Sequence, residues 1–368
     1  MLLDLKKVGN MTWKCAAIDH GVTIFPLGKI GPCCKIQADY LKPISELSNP
    51  HRFADLKTES APAACEKCIG DEGQNIPSYR AMFNSLVTRS PGLQFVDVRN
   101  TNLCNLKCRY CGPHFSSSWA QELGHSITIR STNINKDLLI TDSLQLIYFT
   151  GGEPLISADH WNLLEELIDS NKAGGITLMY NTNLTVLKYK NKDITDIWSH
   201  FKKVNIQCSI DAVGEMFEYI RSGADWFKIA ANIDTLKKMS VNISLTPVIS
   251  LLNIWNIGEL CNYAEQQNIK IDPIILSGPD YLALNVIPDQ LKQQALIAAE
   301  PLKKHIDINV YNCIIELINN NQNQCLIKHT ISHILLLDHL RNEKLFDLLP
   351  FKDIAQAELL ENYEYDSK

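Results

Sequence analysis

No run of eighteen or more apolar residues occurs anywhere in the 368-residue chain, which excludes a spanning helix of ordinary length. The opening Met1-Leu-Leu-Asp-Leu-Lys-Lys lacks the apolar core of a secretory signal, so a cytoplasmic protein is expected. Positive charge is also scarce. Lys and Arg number 35 against 41 Asp and Glu, and the net charge of −6 leaves no electrostatic footprint for nucleic acid. The one basic cluster, Lys188, Lys190 and Lys192, reads as a solvated loop. There is no internal repeat, and low complexity is confined to an Asn/Gln run at 319–324. An apolar share of 45% can build a substantial core, and the length fits one large domain with appendages.

Cysteine, by contrast, is plentiful. Twelve in a chain without an export signal point to metal ligation rather than disulfides. Three of them, Cys104, Cys108 and Cys111, sit in Cys-Asn-Leu-Lys-Cys-Arg-Tyr-Cys, just after an apolar run at 93–98 that reads as a buried strand. Three thiolates hold three irons of a cubane, because soft sulfur suits iron–sulfur clusters. The loop has no fourth cysteine, so one iron stays free for a ligand from outside the protein. The alternative is zinc, whose cysteine ligands usually come as two short-spaced pairs.

The C-x3-C-x2-C spacing, with Tyr110 before the last cysteine, resembles the radical S-adenosylmethionine (radical SAM) superfamily. Gly151-Gly152-Glu153-Pro154, following the apolar run 144–149, matches the superfamily's second motif in its usual order. The resemblance implies a [4Fe-4S] cluster on Cys104, Cys108 and Cys111 with S-adenosylmethionine (SAM) on the open iron. It implies reductive cleavage of SAM to a 5′-deoxyadenosyl radical that takes hydrogen from a substrate, with an electron donor such as flavodoxin or ferredoxin. By the same resemblance Gly151, Gly152 and Glu153 bind the SAM amino group, with Pro154 stiffening the turn. Tyr110 lies near the adenine, Ser209 and Asp211 bind ribose or substrate, and Arg221 reaches the SAM carboxylate. Plainer roles stay open: a tight turn for Gly-Gly, packing for Tyr110, a helix cap for Asp211, a surface salt bridge for Arg221. Asn181 and Asn183 are candidates for substrate or cofactor contacts. Cys208, Cys261, Cys313 and Cys325 read as buried core.

Strand and helix patterns alternate through the middle of the chain. Strands are expected at 93–98, 144–149, 176–180, 204–210, 241–249 and 271–276, with helices at 161–168, 194–201, 226–239 and 257–267. Such alternation implies right-handed βαβ units and a parallel sheet. About six units fit before residue 288, two short of a closed eight-stranded barrel. The expected class is therefore α/β, a partial (β/α)6 TIM-type barrel, which is also the fold the radical SAM resemblance implies. Its chemistry would gather on loops at the C-terminal strand ends. A helical tail follows at 291–306, 312–318 and 327–340.

The segment before the barrel holds Cys15, Gly28 and Cys33 in a C-x12-G-x4-C arrangement, then Cys65-Glu-Lys-Cys68. Around Gly28, 22–25 and 29–30 read as a hairpin. This resembles the opening of SPASM and twitch domains and implies an auxiliary [4Fe-4S] cluster on Cys15, Cys33, Cys65 and Cys68. A structural zinc also suits the spacing, and Cys34 is an alternative to its neighbour Cys33. Here the module precedes the barrel, giving expected domains of 1–90, 91–288 and 289–368. The order resembles a group of twitch-containing radical SAM proteins, a likeness that extends to Pro279-Asp-Tyr-Leu-Ala-Leu-Asn-Val-Ile-Pro and to Asp338-His-Leu-Arg-Asn-Glu. Such enzymes act on ribosomally made peptides or on small molecules such as sugars, and a peptide is the favoured substrate. The non-enzyme alternative is a zinc-binding scaffold.

Overall fold

A computed structural model describes residues 14–73, 76–86, 91–320, 323–343 and 349–350. The opening heptapeptide read above lies outside them. The chain has a mixed α/β fold with a central parallel sheet, and it divides into two compact units. The first holds Met1–Cys104, His125–Asn181 and Lys188–Asn205, and the second Asn105–Gly124, Thr182–Leu187 and Ile206–Lys368.

The elements run α1 (Ala16–His20), β1 (Gly21–Phe25), β2 (Lys29–Gly31), β3 (Lys42–Pro43), α2 (Glu66–Gly73), α3 (Tyr79–Leu86), β4 (Phe95–Val98), β5 (Lys107–Cys108), α4 (Ser117–Glu122), α5 (Lys136–Leu139), β6 (Leu146–Phe149), α6 (Ala158–Asp169) and β7 (Thr177–Thr182). They continue as β8 (Lys188–Tyr189), β9 (Lys192–Asp193), α7 (Ile194–Trp198), β10 (Lys203–Cys208), α8 (Gly214–Ile220), β11 (Arg221–Ser222), α9 (Trp226–Lys237), β12 (Asn242–Leu245) and β13 (Val248–Ile249). The last are α10 (Ile257–Gln267), β14 (Lys270–Ile271), β15 (Ile274–Ile275), α11 (Asp289–Ala299), α12 (Ile308–Asn319) and α13 (Ile327–Arg341).

In the first unit β4, β6 and β7 pair in parallel, with Val96 opposite Ile147 and Ile147 opposite Leu178. β4 and β6 are buried along their whole length; β6 reads as an unbroken apolar run for that reason, while β4 also buries Asp97, paired with Arg99. Side chains alternate between the two faces. On one face Phe149 stacks on Tyr180 and meets His160 of α6 edge-on. On the other, Phe95, Leu146 and Tyr148 form a cluster with Ala17 of α1 and Phe83 of α3, and Cys15, Cys33 and Tyr79 pack against it.

The expected N-terminal hairpin joins this same sheet. β1 lies parallel to β4, with Val22 opposite Val96, while β2 and β3 follow antiparallel. The turn passes through Leu27 and Gly28 with φ of 63° and 72°. Glycine takes that backbone without steric cost, which accounts for Gly28 in the cysteine motif. The Thr132 hydroxyl accepts from the Gly28 N–H at 2.7 Å and donates to the Phe25 carbonyl at 2.8 Å. Lys188 and Lys192 are not in a plain loop. They lie on the β8–β9 hairpin and pair with Asp193 and Glu165.

In the second unit β12 pairs with β14 and β13 with β15, both in parallel. The expected strands 241–249 and 271–276 are thus each split in two. Pro247 and Pro273 sit at the breaks and have no N–H to give the ladder. The tail is helical as expected, although α11 gives way to a 3-10 turn, Glu300–Lys304, that contains Pro301. Cys208 and Cys261 are buried, but Cys313 is half-buried and Cys325 exposed. Their placement in the core is corrected: Cys313 flanks the α12 face that buries Ile314 and Ile318, and Cys325 lies on the turn before α13. Among the described residues, no helix is long and apolar enough to cross a membrane.

Candidate cluster sites

Parallel pairing puts the C-terminal ends of β4 and β6 side by side. From β4 the chain continues toward Cys104, and from β6 into Gly151-Gly152-Glu153. The Gly152 N–H donates to the Thr101 carbonyl at 3.1 Å and the Glu153 N–H to the Leu103 carbonyl at 2.6 Å. A Cβ on Gly152 would stand 2.0 Å from the Leu103 oxygen, and Gly151 has φ +100° with a Cβ position 2.9 Å from the Thr101 oxygen. Both glycines are therefore demanded by backbone contact beside Cys104. Glu153 is buried and its carboxylate accepts the Leu155 N–H at 3.0 Å, capping the turn Pro154–Ile156. Asn181, at the end of β7, accepts the Tyr148 hydroxyl at 2.6 Å.

In the second unit a short antiparallel ladder sets Arg221 of β11 opposite Cys108 of β5. Arg221 Nε donates to Asp211 Oδ2 at 2.8 Å, Nη2 to Asp211 Oδ1 at 3.3 Å, and Nη1 to Cys108 Sγ at 3.7 Å. The Tyr110 hydroxyl donates to Asp211 Oδ2 at 2.7 Å, and the Val248 N–H reaches Oδ1 at 2.8 Å. Asp211 does not cap the next helix, because α8 begins at Gly214 and its cap position is Val213. Burial disfavours charge on Arg221, yet the adjacent Asp211 holds it firmly protonated. Burial pushes the Cys108 thiol up, and the Cys111 thiol up to about 12. Desolvated thiols of this kind become thiolates when a cation or metal joins them. Ser209 is half-buried and gives its N–H to the Thr182 carbonyl at 2.9 Å. Asn183 donates to the Asn105 side chain at 3.0 Å, bracing the residue after Cys104.

Cys15, Cys33, Cys65 and Cys68 of the first unit line one enclosed cavity together with Tyr79, Arg80 and Phe83. They come from four places: the start of α1, the chain after β2, the 3-10 turn Ala63–Cys65, and α2. Cys34 is absent from that lining and instead has the Tyr79 hydroxyl as a hydrogen-bond partner, with Arg99 and Asp97 nearby. Burial pushes the Cys15 thiol up to about 11 and raises Cys33 and Cys68 as well. Among the described residues, no three His, Cys, Asp or Glu side chains converge on a single metal-ion position. A cubane takes one thiolate per iron, so its ligands must ring a cavity. Four thiols around one closed space suit that group.

Sequence reasoning gave no role to Arg109, Asp338, Arg341 or Glu343. Arg109, between Cys108 and Cys111 in sequence, is buried and binds Asp338 and Glu343. Three of these four residues stand within the quoted Asp338-His-Leu-Arg-Asn-Glu, whose unevenly spaced charges gave no signal of their partners.

The radical SAM superfamily pattern matches residues 99–264, which include the cluster loop and the Gly-Gly-Glu segment. The GTP 3′,8-cyclase of Sulfurimonas denitrificans is 24% identical over 182 residues, covering 49% of this chain and 54% of that protein. Molybdenum cofactor biosynthesis protein 1 of Dictyostelium discoideum is 26% identical over 178 residues, covering 48% and 27%. The chain thus spans about half the length, or less, of these curated relatives. Among solved structures, anSMEcpe with bound AdoMet matches at a TM-score of 0.41 and 19% identity, over 57% of this chain and 59% of that one. Streptococcus suis SuiB bound to its precursor peptide SuiA matches at 0.40 and 15%, over 71% and 58%. A radical SAM domain implies a [4Fe-4S] cluster and SAM as its cofactors, and residues 99–264 of this chain are a radical SAM superfamily domain.

Proposed function

We propose that the protein is a cytoplasmic radical SAM enzyme with two [4Fe-4S] clusters, one on Cys104, Cys108 and Cys111 and an auxiliary one on Cys15, Cys33, Cys65 and Cys68. The superfamily match across both motifs carries the first part of this reading, and the four-cysteine cavity supports the second. When bound, the three-cysteine cluster supplies an electron and an open iron at which SAM is cleaved. The chain's own residues position and shield. Asp211 fixes Arg221 against Cys108 and holds the Tyr110 hydroxyl. Gly151 and Gly152 let the backbone after β6 approach the strand leading to Cys104, where we assign the SAM amino group, with Glu153 nearby. Because Asp211 occupies two of the Arg221 donor positions, we assign that pair to holding the site rather than to gripping SAM directly. Ser209 is kept as a ribose or substrate contact.

The domain assignment accompanying this reading is 1–90 for the auxiliary module, 91–288 for the barrel and 289–368 for the helical extension. A flavodoxin or ferredoxin is the proposed electron donor. A peptide is the favoured substrate, in keeping with the SPASM-like cysteine module. A small molecule is the second reading, and similarity to GTP 3′,8-cyclases, whose name gives a nucleotide, favours it. The deciding experiment is anaerobic purification with iron and sulfide counts, then SAM cleavage with dithionite. About eight irons and formation of 5′-deoxyadenosine support the reading. Zinc without cleavage sinks it.

A further inference from the structure

We infer that the C-terminal segment from His333 to Glu343 is a positioning device for the cluster loop, setting both the path of residues 107–111 and the charge beside them. The inference rests on the proposed ligation by Cys104, Cys108 and Cys111.

Arg109 stands between two of those cysteines in sequence, and its side chain is 1% exposed. Nε donates to the Tyr219 carbonyl at 2.9 Å, while Nη2 donates to Asp338 Oδ1 at 2.5 Å and also to Glu343. The guanidinium lies 3.6 Å from the centre of the Tyr219 ring, and the Tyr219 hydroxyl donates to Asp338 at 3.0 Å. Arg341 grips the other end of the loop. Its Nη1 donates to the Lys107 carbonyl at 3.0 Å, its Nη2 donates to Glu122 at 2.8 Å, and its guanidinium covers Trp119 at 4.5 Å. Trp119 in turn donates to the Cys108 carbonyl at 2.8 Å. The His333 ring is hydrogen-bonded to the Arg109 backbone.

Plain packing does not call for such a construction. Burying a guanidinium with carboxylates carries a desolvation cost, and apolar side chains of equal volume often serve stability as well or better. The network is instead directed at one short loop, which it holds by side chain and backbone from 107 to 109. Asp338 and Glu343 also offset the Arg109 charge. Either carboxylate made neutral leaves that positive charge less compensated on the loop that carries Cys108 and Cys111. Positive charge stabilises the more negative, reduced cluster, so the midpoint potential must rise.

The test uses the full anaerobic protein with the substitutions Asp338→Asn and Glu343→Gln. The EPR signal of the reduced cluster that changes on adding SAM identifies the three-cysteine site, and a redox titration of that signal gives its midpoint. Both variants are expected to keep a SAM-responsive signal with the midpoint shifted upward. Glu343 is less buried than Asp338, so Glu343→Gln gives an answer even where Asp338→Asn folds poorly. Full signal with an unmoved midpoint in Glu343→Gln overturns the inference and leaves the enzyme reading standing. Absence of any SAM-responsive signal in the unaltered protein overturns both.

Discussion

Arg221 donates to Cys108 Sγ at 3.7 Å while Asp211 holds its other two donor positions. One side chain thus serves a wholly buried carboxylate and a proposed cluster ligand together. Arg221→Gln leaves Asp211 without its cation, and breaking a buried pair in this way costs roughly 3–5 kcal/mol. The double variant Asp211→Asn with Arg221→Gln removes both charges and should lose less. Urea unfolding compares both with Asp211→Asn alone, and a double loss equal to the sum of the two single losses would mean that the pair is not coupled.

The four-cysteine cavity separates Cys33 from Cys34. Alanine at Cys15, Cys33, Cys65 or Cys68 is expected to remove about four of about eight irons and leave SAM cleavage measurable. Alanine at Cys34 should leave the iron count unchanged. Iron lost from Cys34→Ala but not Cys33→Ala would reverse the assignment.

Gly152→Ala places a methyl 2.0 Å from the Leu103 oxygen, and neither backbone can yield without moving the segment that leads to Cys104. A displacement of this size costs on the order of 100-fold in a positioned site. Calorimetric titration of SAM into the reconstituted protein measures it. Gly174→Ala, where a Cβ meets nothing within 4 Å, is the control expected to bind normally.

His160 is buried among Phe149, Trp161 and Tyr180, with Nε2 2.9 Å from the Tyr180 hydroxyl and Nδ1 unpartnered. Burial lowers its pKa from 6.5 to about 3. Between those values the unfolded chain takes up a proton that the folded chain refuses. Stability therefore falls as pH drops through that window, by up to about 1.4 kcal/mol per unit from this group. Thermal unfolding at pH 7, 6 and 5 should show the decline, and His160→Gln should show a shallower one.

Much of this was legible because it is local. The Gly28 turn and the apolar run of β6 each lie within a few residues, and the structure has them where the sequence put them. The splits at Pro247 and Pro273 were visible too, but the apolar pattern on either side outweighed one missing N–H. Arg109 and Asp338 were not legible as partners. They are 229 positions apart, and a buried ion pair leaves no periodicity in either segment. Arg221 was singled out by resemblance as a partner of the SAM carboxylate, and nothing in one sequence says that Asp211 and Cys108 share its donors.

The pairing of Val22 with Val96 ties β1 to a strand made much later. Chains leave the ribosome from the N-terminus at about 5–20 residues per second, so Cys15 and Cys33 emerge seconds before β4 exists to back them. Until then the β1 edge that pairs with β4 is open, and Cys15 and Cys33 lack Phe95 of the cluster against which they pack. Iron delivered during translation would meet a half-built cage. For the proposed auxiliary cluster, the order of synthesis would therefore place loading after β4 has paired with β1.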